Sequence, residues 1–320
     1  MSAPSSGVLR GPETEVRRSG KRSAGGGGTR PRRAGGTRLA PYLFLAPNMV
    51  LFLLFTIGPA FYSFYLSAFS TSPFRATRFV GLGNYAELLD DGAFRNAVGN
   101  SVVFVVSHTT IVTLVAIAVA VLLNTRIRAR GFFRSVYFFP VLLSPVVVAL
   151  VWRWILDTDV GLLNAALQAV GLEPQPWLLD GTLAMMVVIA VGVWIHTGFY
   201  AMILLAGLQS IDQSLYEAAL VDGASPWQKF LRVTLPLLRP TILVVLILSV
   251  IAGFQAFDYI FVLTGGGPTF STALWVQYIY RTGFDDFRFG LAAAASLLLF
   301  LVVSALTMSQ FVYARRSEAA

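Results

Sequence analysis

Six continuous apolar blocks constrain this chain more than any other feature: about 42–69, 98–123, 132–156, 182–207, 237–263 and 290–313. A bilayer core takes roughly 20 helical residues to cross, so each block is long enough for a spanning helix, some with tilt. The blocks do not alternate with period two, which argues for helices over barrel strands. Of 320 residues 56% are hydrophobic and 12% charged, against about 25% charged in an ordinary soluble domain. A soluble core cannot absorb that excess. The expected fold class is therefore all-α, a polytopic membrane protein with six transmembrane helices. Pro47 and Pro59 interrupt the first block, and Pro140 and Pro145 the third; kinks are expected there.

Basic residues set the orientation. The segment before the first block carries Arg10, Arg17, Arg18, Lys21, Arg22, Arg30, Arg32, Arg33 and Arg38. The 124–131 loop has Arg126, Arg128 and Arg130, the 208–236 loop has Lys229 and Arg232, and Arg315 and Arg316 follow the last block. The 157–181 loop has no Lys or Arg, only Asp157, Asp159, Glu173 and Asp180. With an even number of spans, both termini and the 208–236 loop fall in the cytoplasm of a multi-pass protein of the inner or plasma membrane.

The net charge of +8 comes largely from residues 1–40, which are rich in Gly, Ser, Pro and Arg. Such a composition cannot bury a core and is expected to be a disordered basic tail that touches anionic lipid, not nucleic acid. The apolar run after it is about twice the length of a signal-peptide core, which excludes a cleavable signal. There are no cysteines, hence no disulfide framework, thiolate metal site or cysteine nucleophile.

One polar insert, about 212–236, stands apart from the rest. Ser214-Leu-Tyr-Glu217 has the spacing of a capping box, and Gly223 sits where a helix needs a left-handed residue to end. Ser225-Pro226-Trp227-Gln228 is a second capping box with Pro at the first helical position. Trp227, Phe230, Leu231 and Thr234 recur at helical spacing, and Pro236 and Pro240 are expected to reset the chain before the fifth span. The predicted form is a pair of short helices. A membrane-surface connector explains the second helix; it leaves Ala218-Ala219, Glu217 and Asp222 of the first without a role.

Those residues carry a resemblance. Glu217-Ala218-Ala219, Gly223 and Leu235-Pro236 are similar to the Glu-Ala-Ala loop of ABC importer permeases, a pattern running E-A-A-x3-G-x9-hydrophobic-x-L-P, with Val233 at the hydrophobic position. Phe257-Asp258-Tyr-Ile-Phe-Val-Leu-Thr-Gly-Gly-Gly-Pro268, Phe79-Val-Gly-Leu-Gly-Asn-Tyr85 and Gly131-Phe-Phe-Arg-Ser-Val-Tyr137 resemble the carbohydrate group of these permeases, the maltose/glycerol-phosphate type, and its MalF-like more than its MalG-like subunit. The resemblance extends from about Pro41 to Arg315. It implies a type I (MetI/MalF-like) permease fold over 41–315, with 316–320 as a cytoplasmic end. It implies that Glu217, Ala218, Ala219, Asp222, Gly223, Leu235 and Pro236 form a surface docking on a cytoplasmic ABC ATPase dimer. The further partners implied are a MalG-like second permease subunit, an extracytoplasmic sugar-binding protein and the lipid bilayer.

Other signals carry less. Gly265-Gly-Gly-Pro268 has no following Gly-Lys-Ser/Thr, so it reads as a turn and not as a phosphate cradle. No Walker lysine motif occurs, so ATP hydrolysis would belong to a partner, and no cofactor, metal site or catalytic residue is expected. His108 and His196 are the only histidines, without a second ligand set at helical spacing. The run Trp194-Ile-His196-Thr-Gly-Phe-Tyr200 places aromatic rings beside hydrogen-bonding groups, which suits sugar faces and equally suits hydrogen bonds between helices. Gln255, Asp258 and Tyr259, in the outer half of the fifth span, are further candidates for a substrate pathway. Trp152, Arg153 and Trp154 fit an interfacial belt. The competing class is an ion-coupled secondary transporter or channel, which calls for paired intramembrane acids or an inverted repeat; Asp258 is the one acid placed within a span.

Overall fold

The computed structural model describes residues 40–125 and 130–318. The basic tail, Arg126 and Arg128 lie outside the described residues. The helices are α1 (Ala40–Phe52), α2 (Gly58–Ser67), α3 (Gly83–Asp90), α4 (Gly92–Asn124), α5 (Arg130–Leu142), α6 (Pro145–Ile155) and α7 (Leu162–Ala169), followed by α8 (Gly181–Gln209), α9 (Gln213–Val221) and α10 (Pro226–Lys229). The chain continues through α11 (Leu235–Phe254), α12 (Asp258–Leu263), α13 (Trp275–Tyr280) and α14 (Phe289–Glu318). Strands β1 (Phe69–Ser72) and β2 (Arg75–Phe79) pair antiparallel between α2 and α3, with Phe69 opposite Phe79.

Among the described residues, five helical runs are long and apolar enough to cross a membrane: Tyr42–Ser67, Gly92–Asn124, Gly181–Gln209, Pro226–Phe254 and Phe289–Ala314. The third apolar block differs from a single straight span. It is two helices, α5 and α6, bent by 98°, and it makes a sixth span only if the pair counts as one. Ser144, the residue before Pro145, is extended with ψ 127°; a residue before proline is pushed out of helical geometry, which places the elbow there. Pro140 is carried inside α5 without a break. The first and fourth runs keep their prolines differently. π-helical turns at Leu53–Ile57 and Phe230–Thr234 come just before Pro59 and Pro236. A π turn widens the helix and relieves the clash of the proline ring with the preceding turn.

The described residues up to Leu53 and those from Leu54 onward form two units. In the first, α1 exposes every side chain from Tyr42 to Phe52. In the second, α4 and α8 pack along one another, α11 lies against both, α5 covers α8, α6 meets α12, and α2 meets α14. Lipid is as apolar as leucine, so burial alone does not drive such packing; close approach of small residues does. Ala116 and Ala120 of α4 and Ala201 of α8 are accordingly fully buried in the core, with Phe104, Leu204, Leu205, Leu238 and Val245 around them. A smaller cluster joins Leu88 and Phe94 to Trp275, Leu291, Ala294 and Ala295.

Aspartates start the helices that matter most. Asp91 accepts the Ala93 N–H at 2.8 Å, and Asp180 accepts those of Thr182 and Leu183, both at 2.9 Å. Each satisfies amides that the first helical turn leaves unpaired. The 237–263 block is likewise interrupted: α11 ends at Phe254, and α12 begins at Asp258, an acid in the first turn, where the helix dipole favours it.

Candidate functional site

The polar insert folds as a turn between two helices, with one cap moved from its expected place. Asp212, not Ser214, is the N-cap of α9: its Oδ1 accepts the Ser214 N–H at 2.9 Å. A carboxylate is a stronger acceptor than a hydroxyl and is favoured at the positive end of a helix, so it takes the cap. Hydrogen bonding by the Ser214 backbone N–H, then by its side chain, holds the Asp212 carboxyl below the usual aspartate range. Glu217, freed from a capping role, accepts from Gln213 Nε2 at 3.2 Å.

The end of α9 is closed in the manner that Gly223 predicts. Gly223 has φ +73°, a left-handed conformation that glycine adopts without steric cost. The Gly223 N–H donates to Leu220 O at 3.0 Å and the Ala224 N–H to Ala219 O at 2.9 Å, the two bonds of a Schellman motif. The second capping box is complete, with Ser225 N–H to Gln228 Oε1 at 2.8 Å and Gln228 N–H to Ser225 Oγ at 3.3 Å. The second helix, however, is not a short separate piece. It runs unbroken from Pro226 into the spanning helix that ends at Phe254, because the π turn accommodates Pro236 in place of the expected reset.

What this pair presents is surface. No residue of α9 is buried. Glu217, Ala218, Asp222 and Gly223 are exposed, while Ala219, Leu235 and Pro236 are half-buried. Exposed Leu215, Leu220, Val221 and Trp227 lie among them, and Trp227 stacks on Phe230 at 5.6 Å. Tyr216 Oη and buried Thr234 Oγ1, 3.1 Å apart, tie α9 to the π turn. An exposed helix of alanines and acids, edged with apolar side chains and fixed at both ends, can receive a protein partner.

The intramembrane candidates divide into two sets. His196 and Tyr200 of α8 and Tyr259 of α12 come together with His108 of α4, which was legible only as a lone histidine. The His108 ring meets His196 edge-on at 5.3 Å and stacks on Phe104 at 5.3 Å; the His196 and Tyr200 rings are 6.3 Å apart. His196 Nδ1 lies 2.8 Å from Gly192 O, which requires that nitrogen to carry the proton. Tyr259 Oη, both ring nitrogens of His108, and the hydroxyls of Thr109 and Thr113 are buried with no hydrogen-bond partner among the described residues. Trp194, by contrast, points to another face and packs edge-on with Trp152 at 5.9 Å. Gln255 and Asp258 are exposed at the break between α11 and α12. Both histidines stand near the middle of a long spanning helix, a signal that could have paired them. Among the described residues, no group of three His, Cys, Asp or Glu could hold a metal ion.

The chain is similar to several known proteins along most of its length. The family model for the binding-protein-dependent transport system inner membrane component matches residues 112–318. The sn-glycerol-3-phosphate transport system permease protein UgpA of Agrobacterium fabrum is 34% identical over 280 residues, 86% of this chain and 94% of that protein. The trehalose/maltose transport system permease protein MalF of Thermococcus litoralis is 35% identical over 271 residues, 83% of this chain and 90% of that protein. A chain in the crystal structure of a bacterial alginate ABC transporter, in complex with an alginate pentasaccharide-bound periplasmic protein, superposes with a TM-score of 0.77 at 26% identity. That superposition covers 86% of this chain and 94% of the other.

Proposed function

This chain belongs to the family of binding-protein-dependent transport system inner membrane components, and from that premise we propose that it conducts sugar as one half of an ATP-driven importer. The observation that carries the reading is exposed, capped α9 set between two spanning helices, with α10 as the capped start of the second. In this reading both termini and the pair face the cytoplasm, residues 41–315 form the membrane domain, and residues 1–40 are a basic tail at the anionic leaflet. Glu217, Ala218, Ala219, Asp222, Gly223, Leu235 and Pro236 form the docking surface for an ABC ATPase dimer. A MalG-like subunit supplies the other half of the pathway, and an extracytoplasmic binding protein delivers the sugar.

The mechanism follows from how α10 is joined. ATP-driven closure of the partner displaces α9 and α10. Because α10 continues into α11, the displacement reaches the spans directly and shifts the balance between inward- and outward-facing states. The chain performs no covalent chemistry. Along the pathway, Tyr200 and Tyr259 are buried mid-bundle and His196 is half-buried beside them, so sugar reaches the full cluster only when the helices part. Gln255 and Asp258 are already accessible at the break after α11, and Trp194 stands on a separate face of α8.

The test is to purify the chain with its partner subunits and measure ATP hydrolysis with sugar-loaded binding protein. We expect stimulation of several fold. Glu217→Arg, which reverses charge at the centre of the surface, is expected to lower that stimulation more than tenfold or to release the ATPase, like charges at an interface being strongly unfavourable. Intact assembly and intact stimulation in the Glu217→Arg complex would remove the docking assignment.

A further inference from the structure

At the end of the bundle opposite α9, a hollow of about 280 Å³ opens between the start of α4, the end of α12, α13 and the turn after it. The placement follows from Gly181 at the start of α8, which lies against Ser271 of the same loop region, whereas α9 follows the other end of α8. Small-molecule sites usually run about 300–1,000 Å³, so the hollow suits a single ring.

Its lining is unusual in three respects. Phe261 and Phe270 leave 43% and 49% of their surface exposed, and Tyr280 packs on Phe261 at 5.4 Å to extend an aromatic wall. Gln277 is only 6% exposed; its Oε1 accepts the Leu274 N–H at 3.0 Å, while its Nε2 has no partner among the described residues. An unpaired buried donor is costly to keep, and Gln277 stands in the wall of the hollow, so a small turn of its amide brings that donor to a ligand there. The Arg281 guanidinium sits 4.7 Å over the Phe270 ring, with Asp285 on the same turn. Phe270 itself is held at φ +62°, a left-handed conformation rare for a bulky residue. Asn100 Nδ2 fixes the loop there by donating to Phe270 O at 2.9 Å and Ala273 O at 3.1 Å.

Aromatic faces beside planar amide, guanidinium and carboxylate groups match a sugar, whose ring offers apolar C–H patches bordered by hydroxyls. The carboxylates of Asp91, Asp285 and Asp286 outnumber the guanidiniums of Arg281 and Arg288 in the lining, which disfavours an anion. Resting on the importer reading above, we propose that this hollow is an entry subsite that holds one ring of an uncharged sugar before it reaches the mid-membrane pathway. Gln277 Nε2 and Arg281 donate to ring hydroxyls, Asp285 accepts from them, and the aromatic wall takes the C–H face.

The absence of cysteine makes the test clean. Ala93 is exposed in the wall of the hollow. An Ala93→Cys chain, assembled with its partner subunits in nanodiscs, is labelled with a maleimide in the presence of free maltose, trehalose or lactose. The sugar that stimulates ATP hydrolysis is expected to slow labelling at least threefold, and adding Gln277→Leu is expected to abolish that protection. Where Gln277→Leu fails to co-purify, Arg281→Ala replaces it. Stimulation without protection overturns the subsite and leaves the importer reading standing. Protection without stimulation keeps the sugar site and overturns the importer reading, and neither effect overturns both. Protection by sugar-free binding protein alone, with none from free sugar, assigns the hollow to protein docking and overturns the subsite.

Discussion

At Asp212 one proton decides whether α9 is capped. Its carboxyl titrates below the usual aspartate range because the Ser214 backbone N–H, and then the Ser214 side chain, hydrogen-bond to the ionised form. A depressed folded value means the cap is fully present above the unfolded value of about 3.9 and is lost as pH falls through the folded value. Acidification below about pH 4 should therefore fray the first turn of α9. Protection factors of the Ser214 and Leu215 amides, taken against intrinsic exchange at each pH, measure this, and Asp212→Asn, which caps without titrating, should flatten their pH dependence. Protection factors independent of pH in the wild-type chain would sink this prediction. Residue pattern alone favoured Ser214, since a capping box is read from spacing and Asp212 lies outside that spacing. For His108 the depth in the membrane was legible but not the face it presents. Its neighbours His196 and Tyr259 come from helices far along the chain, and sequence periodicity carries no information on which faces meet.

Helix ends were legible where chemistry is local. The left-handed Gly223 and the Ser225–Gln228 box follow from a few adjacent residues, and so does the elbow before Pro145. Continuity through Pro236 did not follow, because a proline signals a break unless a π turn forms, and this turn is tied to α9 by Tyr216 and Thr234, which meet across 18 residues. Close helix contact belongs at this scale too. A Cβ on Gly198 of α8 would lie 2.0 Å from the Tyr137 carbonyl oxygen of α5, a backbone atom that cannot move aside. Gly198→Ala is expected to cost about 1–3 kcal/mol or more, as overpacking does, and to lower the unfolding midpoint in detergent. Gly99→Ala, with nothing within 4 Å of the new methyl, should leave that midpoint unchanged or raise it slightly. Equal losses in the two variants would refute the α5–α8 contact.

For the whole molecule, the apolar blocks and the basic loops make a topology that can be tested directly. In the cysteine-free chain, Leu172→Cys in an exposed loop should react with an impermeant maleimide in intact spheroplasts. Ser225→Cys should react only after the membrane is opened; the reverse pattern would invert the orientation. Spans were readable because hydrocarbon demands length and apolarity of each one separately. The hairpin β1–β2, the short helices α3 and α13, and the cluster that joins Phe94 to Trp275 were not, since they depend on contacts between distant loops.

The unbroken helix from Pro226 to Phe254 also fixes a depth. Its 29 residues rise about 1.5 Å each, for a length of about 44 Å, against a hydrocarbon core about 30 Å thick. Even with moderate tilt, some of its turns must stand in the headgroup layer. Lys229 and Arg232 lie at that end, where basic side chains meet lipid phosphates. The helix thus acts as a ruler: bilayer thickness sets how far α9 projects into water, so thicker lipid should lower, and thinner lipid raise, the docking surface proposed for it.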